Sequence, residues 1–218
     1  MTTRHLFDEA LEDLNQKIYQ LGELVRSQID IAIKSLVNQD LELANQVITG
    51  DLQVNELQAK IEEQCTLLMA TQQPFAKDLR KIVANFKISI NLERIGDHAV
   101  DIAKQSLRIG SQELMKPLID LPRMAELVRE MVAQGLEACK NENVEEAMAM
   151  AAKDDMVDHL YNQIFRELLV LMIEKPSTIN QATYLLFAGR FLERMGDYCT
   201  NISEETIYVV TGKRSDLN

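Results

Sequence analysis

The chain has 218 residues, a formal net charge of −11, 46% hydrophobic residues and only 8 Gly and 4 Pro. Such an acidic excess is repelled by phosphate backbones and anionic membrane surfaces, which argues against a nucleic-acid binder, and the longest aliphatic run, LLVLMI at 168–173, is far too short to insert across a bilayer. So few Gly and Pro exclude a loop-rich or all-β protein, and the dominance of Ala, Leu, Glu, Gln, Lys and Met points to an all-α fold with a sizeable core.

The N-terminus, MTTRHLFDEALEDLNQ, lacks the apolar region of a secretion signal. Phe7, Leu11, Leu14, Ile18, Leu21 and Val25 are spaced alternately by four and three, the apolar seam of a long bundle helix. This first helix is predicted to run to VNQD at 37–40, where Asn and Asp can end one helix and cap the next. A second helix is expected over 40–72, with a bend at Gly50. TQQP stops it, because Pro74 disfavours helix in the preceding residue. A third runs over 75–109 and ends at Gly110. The stretch SQELMKPLIDLPR, from 111 to 123, has two prolines and no clean period, and reads as a linker. The plan then restarts, with helices over 122–140, 143–174 and 178–211, the last ending at Gly212.

The two halves spell related text. DLQV at 51–54 matches DDMV at 154–157 at an offset of 103, and QQP matches EKP at an offset of 102. NLERIGDHAV at 91 matches FLERMGDYCT at 191 at an offset of 100. Such self-similarity predicts one structural unit made twice. The expected architecture is two pseudo-symmetric three-helix bundles, six long helices in all, divided as 1–110 and 111–218.

The repeated block carries the candidate chemistry. Ile88, Leu92, Ile95, Ala99 and Ile102 keep the four-three rhythm, as do Ala188, Leu192, Met195, Cys199 and Ile202. Glu93, Asp97 and Asp101 recur every four residues and so line one helix face over about 12 Å. The copy reads Glu193, Asp197, Asn201 and Glu205. Each stripe begins one residue after a core leucine, about 100° round the helix, beside the core edge. Like charges at this spacing repel, and no Lys or Arg interleaves at the same spacing. A cation would offset the repulsion, and carboxylates without His or Cys suit hard ions such as magnesium, calcium, manganese or ferric iron.

Asp51 and Asp154 recur on the second helix of each half and are candidate ligands from across the bundle, or caps of a kink. Asp78 and Arg80 have no counterparts, since Thr178 and Asn180 stand there. Arg94 and Arg194 lie another 100° round and are candidates to pair with acids on adjacent helices or to support the ligands from behind. Gly96 and Gly196 imply close approach by a neighbouring helix. His5, His98 and His159 fit no ligand spacing and read as structural or surface residues. Cys65, Cys139 and Cys199 follow no motif and read as reduced core residues. No nucleotide-binding, hydrolase or redox motif is present, and no Glu precedes a His by three, which argues against a ferritin-like di-iron site.

QQPFAKDLRKIVANFKISINLERIGDHAVDIAK at 72–104 and YLLFAGRFLERMGDYCTNI at 184–202 resemble the PhoU family, accessory regulators of bacterial phosphate-specific transport. The copy departs from the family pattern at Gly189, Met195 and Tyr198, which leaves the acid stripe intact. The resemblance implies metal clusters carried by Glu93, Asp97, Asp101, Glu193, Asp197 and Asn201. It implies a non-enzymatic negative regulator of phosphate-starvation signalling. Its expected partners are a phosphate ABC transporter and a sensor histidine kinase. The expected state is a cytoplasmic homodimer held at the inner membrane through those partners. The competing reading is a metal-dependent hydrolase or oxidase using the same carboxylates.

Overall fold

The four-three seam folds as it reads. The structure is a computed structural model that describes residues 3–217, with side chains from His5 onward. Helix α1 spans Thr3–Asn38 and buries Phe7, Leu14, Ile18, Leu21 and Val25. Asp40 caps α2, Leu41–Gln72, by accepting hydrogen bonds from the Glu42 and Leu43 backbone N–H groups, each at 3.0 Å. After Pro74 the chain turns into α3, Ala76–Ile109, which Gly110 ends at φ 63°. No strand occurs among the described residues.

The second half follows the same plan with one difference. Helix α4, Asp120–Lys140, starts two residues before the predicted place and accommodates Pro122 in its first turn. The helix expected over 143–174 is interrupted. Helix α5, Val144–Ala151, ends in a turn at Ala152 and Lys153, and α6 then runs Asp154–Glu174. The turn carries neither Gly nor Pro. Asp154 and Asp155 open α6, where carboxylates favour the free N–H groups of a helix start. The equivalent place in the first half is Gly50, yet α2 passes through it as continuous helix. A 3₁₀ turn at Pro176–Thr178 leads into α7, Ile179–Thr211, which Gly212 ends in a left-handed conformation.

Helices α3 and α7 form the spine. Lys87 meets Glu205, Asn91 meets Asn201, and His98 stacks on Phe191. One number falls as the other rises, so the two helices are antiparallel. Helices α1 and α4 pair the same way, with Tyr19 Oη donating to the Leu136 carbonyl and Arg129 reaching Asp30. Helix α2 packs on α1 and α3, while α5 and α6 pack on α4 and α7. A single apolar core runs through both halves, from Phe7 to Ile202.

Leu92 and Leu192 are fully buried equivalents in that core. Replacing either with Ala should cost about 2–5 kcal/mol. Because the core is continuous, wild type and both variants should unfold in one cooperative step, followed by helical circular dichroism. Two separated transitions would contradict a shared core.

Candidate metal centre

The apolar seam of α3 places the acids. Gly96 faces α1 and α2, with Val25 and Val54 within reach of a hypothetical Cβ. Asp97 lies about 100° further round, and therefore turns outward along α2. There it shares a groove with Glu93 and with Asp51 of α2. Burial, then the Asp97 carboxylate, and Asp51 beyond it, raise the Glu93 pKa against the opposing pull of Arg94. Burial and the Asp97 charge also raise the Asp51 pKa, opposed by Asn55, whose Nδ2 donates to Asp51 Oδ2 at 2.9 Å. The other Asp51 oxygen is buried without a hydrogen-bond partner.

The groove between α6 and α7 repeats this arrangement with more charge. Asp154 and Asp158 stand one turn apart on α6 and face Glu193 and Asp197 on α7. Burial pushes the Asp154 carboxyl up to about 7, helped by Asp158, Asp197 and Glu193. Glu193 and Asp197 are raised as well, by burial and then by their acidic neighbours, with Arg190 opposing. Asp154 Oδ1 and Glu193 Oε2 are buried without partners. Gly196 makes room for this, because a Cβ there would stand 2.2 Å from Asp154 Oδ1. The close approach expected at the repeated glycine is thus made by a side chain, the Asp154 carboxylate, rather than by a neighbouring backbone. Among the described residues, no three Asp, Glu, His or Cys side chains converge as a metal-ligating group.

Four stripe residues therefore line the grooves: Glu93 and Asp97, and Glu193 and Asp197. Asp51 and Asp154 join them from the facing helices. Asp101 is engaged elsewhere, 3.1 Å from Lys104 Nζ and 3.5 Å from His98 Nδ1. Asn201 Nδ2 contacts Asn91 Oδ1 at 3.5 Å across the α3–α7 interface. Glu205 is buried at the same interface, at 3.0 Å from Lys87 Nζ and 2.5 Å from an Arg214 nitrogen. Arg80 lies far along α3 and donates to the Val209 carbonyl in the last turn of α7, where a cation complements the helix end. Asp78, two residues before Arg80 on the first turn of α3, is equally remote from the grooves.

The stripes carry counter-charge after all, contrary to what their i,i+4 spacing suggested. Arg94 reaches Glu93 at 3.6 Å and Asp97 at 3.3 Å, and Arg190 pairs with Glu193. These cations come from adjacent or i,i+3 positions rather than the i,i+4 positions of the stripe. Arg94 is exposed, and Arg194 is its exposed equivalent. His98 is a buried interface residue between Phe191 and Tyr198, at centroid distances of 5.4 and 5.8 Å. Cys65 and Cys199 are buried, and Cys139 is half-buried; all three are free thiols. Asp158 is the groove residue the sequence reading missed. It stands at the offset of 103 from Asn55, four residues after Asp154, and that spacing was its visible signal.

The PhoU domain model matches residues 18–106 and 121–206, one copy per half. The chain is 40% identical over 217 residues to a phosphate-specific transport system accessory protein PhoU homolog of Clostridium acetobutylicum, covering 99% of both chains. It is 38% identical over 208 residues to a homolog of the same description from Caulobacter vibrioides, covering 95% of this chain and 90% of that one. The crystal structure of PhoU from Pseudomonas aeruginosa superposes with a TM-score of 0.91 at 34% identity, over 95% of this chain and 100% of that one. The phosphate transport system regulatory protein PhoU from Streptococcus pneumoniae gives a TM-score of 0.90 at 33% identity, over 96% and 99% of the chains. Matched in both halves and over nearly its whole length, the chain belongs to the PhoU family.

Proposed function

We propose that this chain is an accessory regulator of a phosphate-specific transport system, and that it works as a metal-binding adaptor rather than an enzyme. The observation that carries the first part is the near full-length match to accessory proteins of that description. The adaptor reading rests on the paired grooves. It places the protein in the cytoplasm, at the inner membrane only through a transporter and a sensor kinase. No helix is long and apolar enough to cross a membrane among the described residues.

The donor set suits a hard cation. Carboxylate oxygens are the charged donors each groove offers a cation, and three of those oxygens are buried with no partner. Asp51, Glu93 and Asp97 would hold a metal in the first groove. Asp154, Asp158, Glu193 and Asp197 would hold one in the second. Binding requires these side chains to rotate inward and release Arg94 and Arg190. Hard ions with oxygen ligands bind in this way, and the ion would supply positive charge and open positions for a partner's oxygens. The freed arginines, exposed beside the grooves, add donors for the same anionic groups. A hydrolytic reading lacks a poised nucleophile here. Cys199, next to the second groove, is buried, and burial and the Asp154 charge raise its pKa, which keeps the thiol protonated.

Three outcomes test this reading. Asp97→Ala combined with Asp197→Ala should lower bound metal per chain by elemental analysis while helix content stays near wild type; unchanged metal would remove the site. A strain lacking the protein should keep importing phosphate in phosphate-rich medium; normal repression would count against the regulatory role.

The third outcome is pH dependence in metal-free protein. Asp154 holds its proton more tightly when folded, at about 7, than at its unfolded value of 3.8. Its favourable contribution is therefore complete below about pH 4 and is lost as pH rises to about 7. Tm should fall across that window, and Asp154→Asn should flatten the fall by about 2–4 °C for each kcal/mol recovered. An equally steep fall in the variant would show that Asp154 is not the strained group.

A further inference from the structure

A cleft of about 460 Å³ opens where the two halves meet, between α1 and α3 of the first and the C-terminal ends of α4 and α7 of the second, and none of the groove acids lines it. Its wall carries a carboxamide pair. Asn85 of α3, 5% exposed, donates through Nδ2 to Asn15 Oδ1 of α1 at 2.9 Å. That bond uses one donor and one acceptor. Asn15 Nδ2 and Asn85 Oδ1 have no protein partner, and neither is sealed from solvent. The pair therefore offers the cleft one free donor and one free acceptor. In the unbroken helix α7 the equivalent of Asn85, at the offset of 100, is Leu185, which is 1% exposed. Packing at that position thus does not call for a carboxamide.

The cleft also holds two opposite charges that the protein does not pair. Glu12 of α1 and Lys140 of α4 both line it, and neither forms an ion pair among the described residues. Lys140 Nζ rests 5.3 Å from the centroid of the Tyr19 ring. That ring is held in place by its Oη, which donates to the Leu136 carbonyl at 2.8 Å. Glu12 and Tyr19 are seven residues apart on α1, about 10 Å along the helix axis. The remaining acid of the cleft, Glu142, is already engaged, by Lys77 at 2.7 Å and Lys81 at 2.5 Å. Ile18, Ala84 and Val209 supply apolar surface.

We propose that this cleft binds a short zwitterionic peptide of about dipeptide size, with Asn15 and Asn85 bonding the peptide backbone, Glu12 the ammonium and Lys140 the carboxylate. A peptide C=O accepts from Asn15 Nδ2, and a peptide N–H donates to Asn85 Oδ1. An extended dipeptide spans about 7 Å, so its ammonium reaches Glu12 while its carboxylate meets Lys140 beside Tyr19. The apolar surface takes a side chain. Glu12 repels a purely anionic ligand such as a nucleotide, and a neutral ligand leaves both charges unused. The site is separate from the acidic grooves and does not depend on their metal.

The test is a titration of the ¹⁵N-labelled full chain with the dipeptides Leu-Ala, Ala-Leu and Gly-Phe, each also N-acetylated or C-amidated, and with AMP as an anionic control. The Asn15 and Asn85 side-chain amides are followed. At least one free dipeptide should give saturable shifts at both, with Kd of about 1 mM or tighter. Blocking either end should weaken binding about two- to fivefold, the scale of one exposed ion pair. Glu12→Gln should remove the effect of acetylation, and Lys140→Gln the effect of amidation. Asn85→Leu, which installs the second-half residue, should weaken binding about tenfold. Glu12 and Lys140 are exposed, so their variants should fold whether or not Asn85→Leu does. Absence of saturable binding by every free dipeptide, or binding indifferent to blocked ends, would overturn the proposal. So would blocking effects that persist in Glu12→Gln and Lys140→Gln, or AMP binding tighter than every dipeptide.

Discussion

The antiparallel packing of α3 against α7 is the contact on which the rest depends. Both helices carry an apolar seam with four-three spacing, and both bury it, from Ile88 to Ile102 and from Ala188 to Ile202. An acid one residue past each seam leucine must then emerge at the edge of the core. Burying the seams draws the flanking helices, α2 on one side and α6 on the other, against those edges. The carboxylates are held half-buried in two grooves where their neighbours are also acidic. The raised pKa values of Glu93, Asp51, Asp154, Glu193 and Asp197 follow from that placement. Core packing thus sustains an electrostatic strain that the charged groups alone would relax.

The two grooves are similar but not equal. Asn55 in the first half donates to Asp51, while Asp158 in the second adds a fourth carboxylate beside Asp154. In the second groove burial and the acidic neighbours push the Asp154 carboxyl up to about 7. A hard cation there would have to displace that proton, and would then relieve the repulsion among four carboxylates. The partner-facing reading needs both grooves on the surface. The exposed Arg94 and Arg194 meet that need, since each is the residue following a groove glutamate.

Most of the fold was legible because it rests on local rules. The apolar period located the helices, and Gly110, Gly212 and Pro74 ended them. The 100-residue repeat gave the two matching halves, and not the antiparallel packing of one on the other. The break between α5 and α6 was legible only as a kink that Asp154 could cap, because AAKDD contains only residues that tolerate helix; Lys153 in the turn reaches Glu130 of α4. The stripe acids Glu93, Asp97, Glu193 and Asp197 were legible as neighbours on one helix face, and the structure sets each pair beside Asp51 or Asp154. Asn201, Asp101 and Glu205 share that spacing yet bond elsewhere, since a helix twists its i,i+4 row slowly from α2 or α6 towards the α3–α7 interface. Arg190 and Lys104 were not seen as counter-ions because they sit at i,i+3. Asp158 lay hidden for a simpler reason: its counterpart in the repeat is an asparagine.

The account's central claim is that the duplicated grooves are sites for hard cations. Anomalous diffraction from crystals grown with manganese tests it most directly. The account predicts peaks in both grooves, within about 2–2.6 Å of carboxylate oxygens from Asp51 and Asp97 and from Asp154 and Asp197. Ordered crystals with peaks elsewhere, or with empty grooves and Arg94 and Arg190 still paired to the acids, would contradict it.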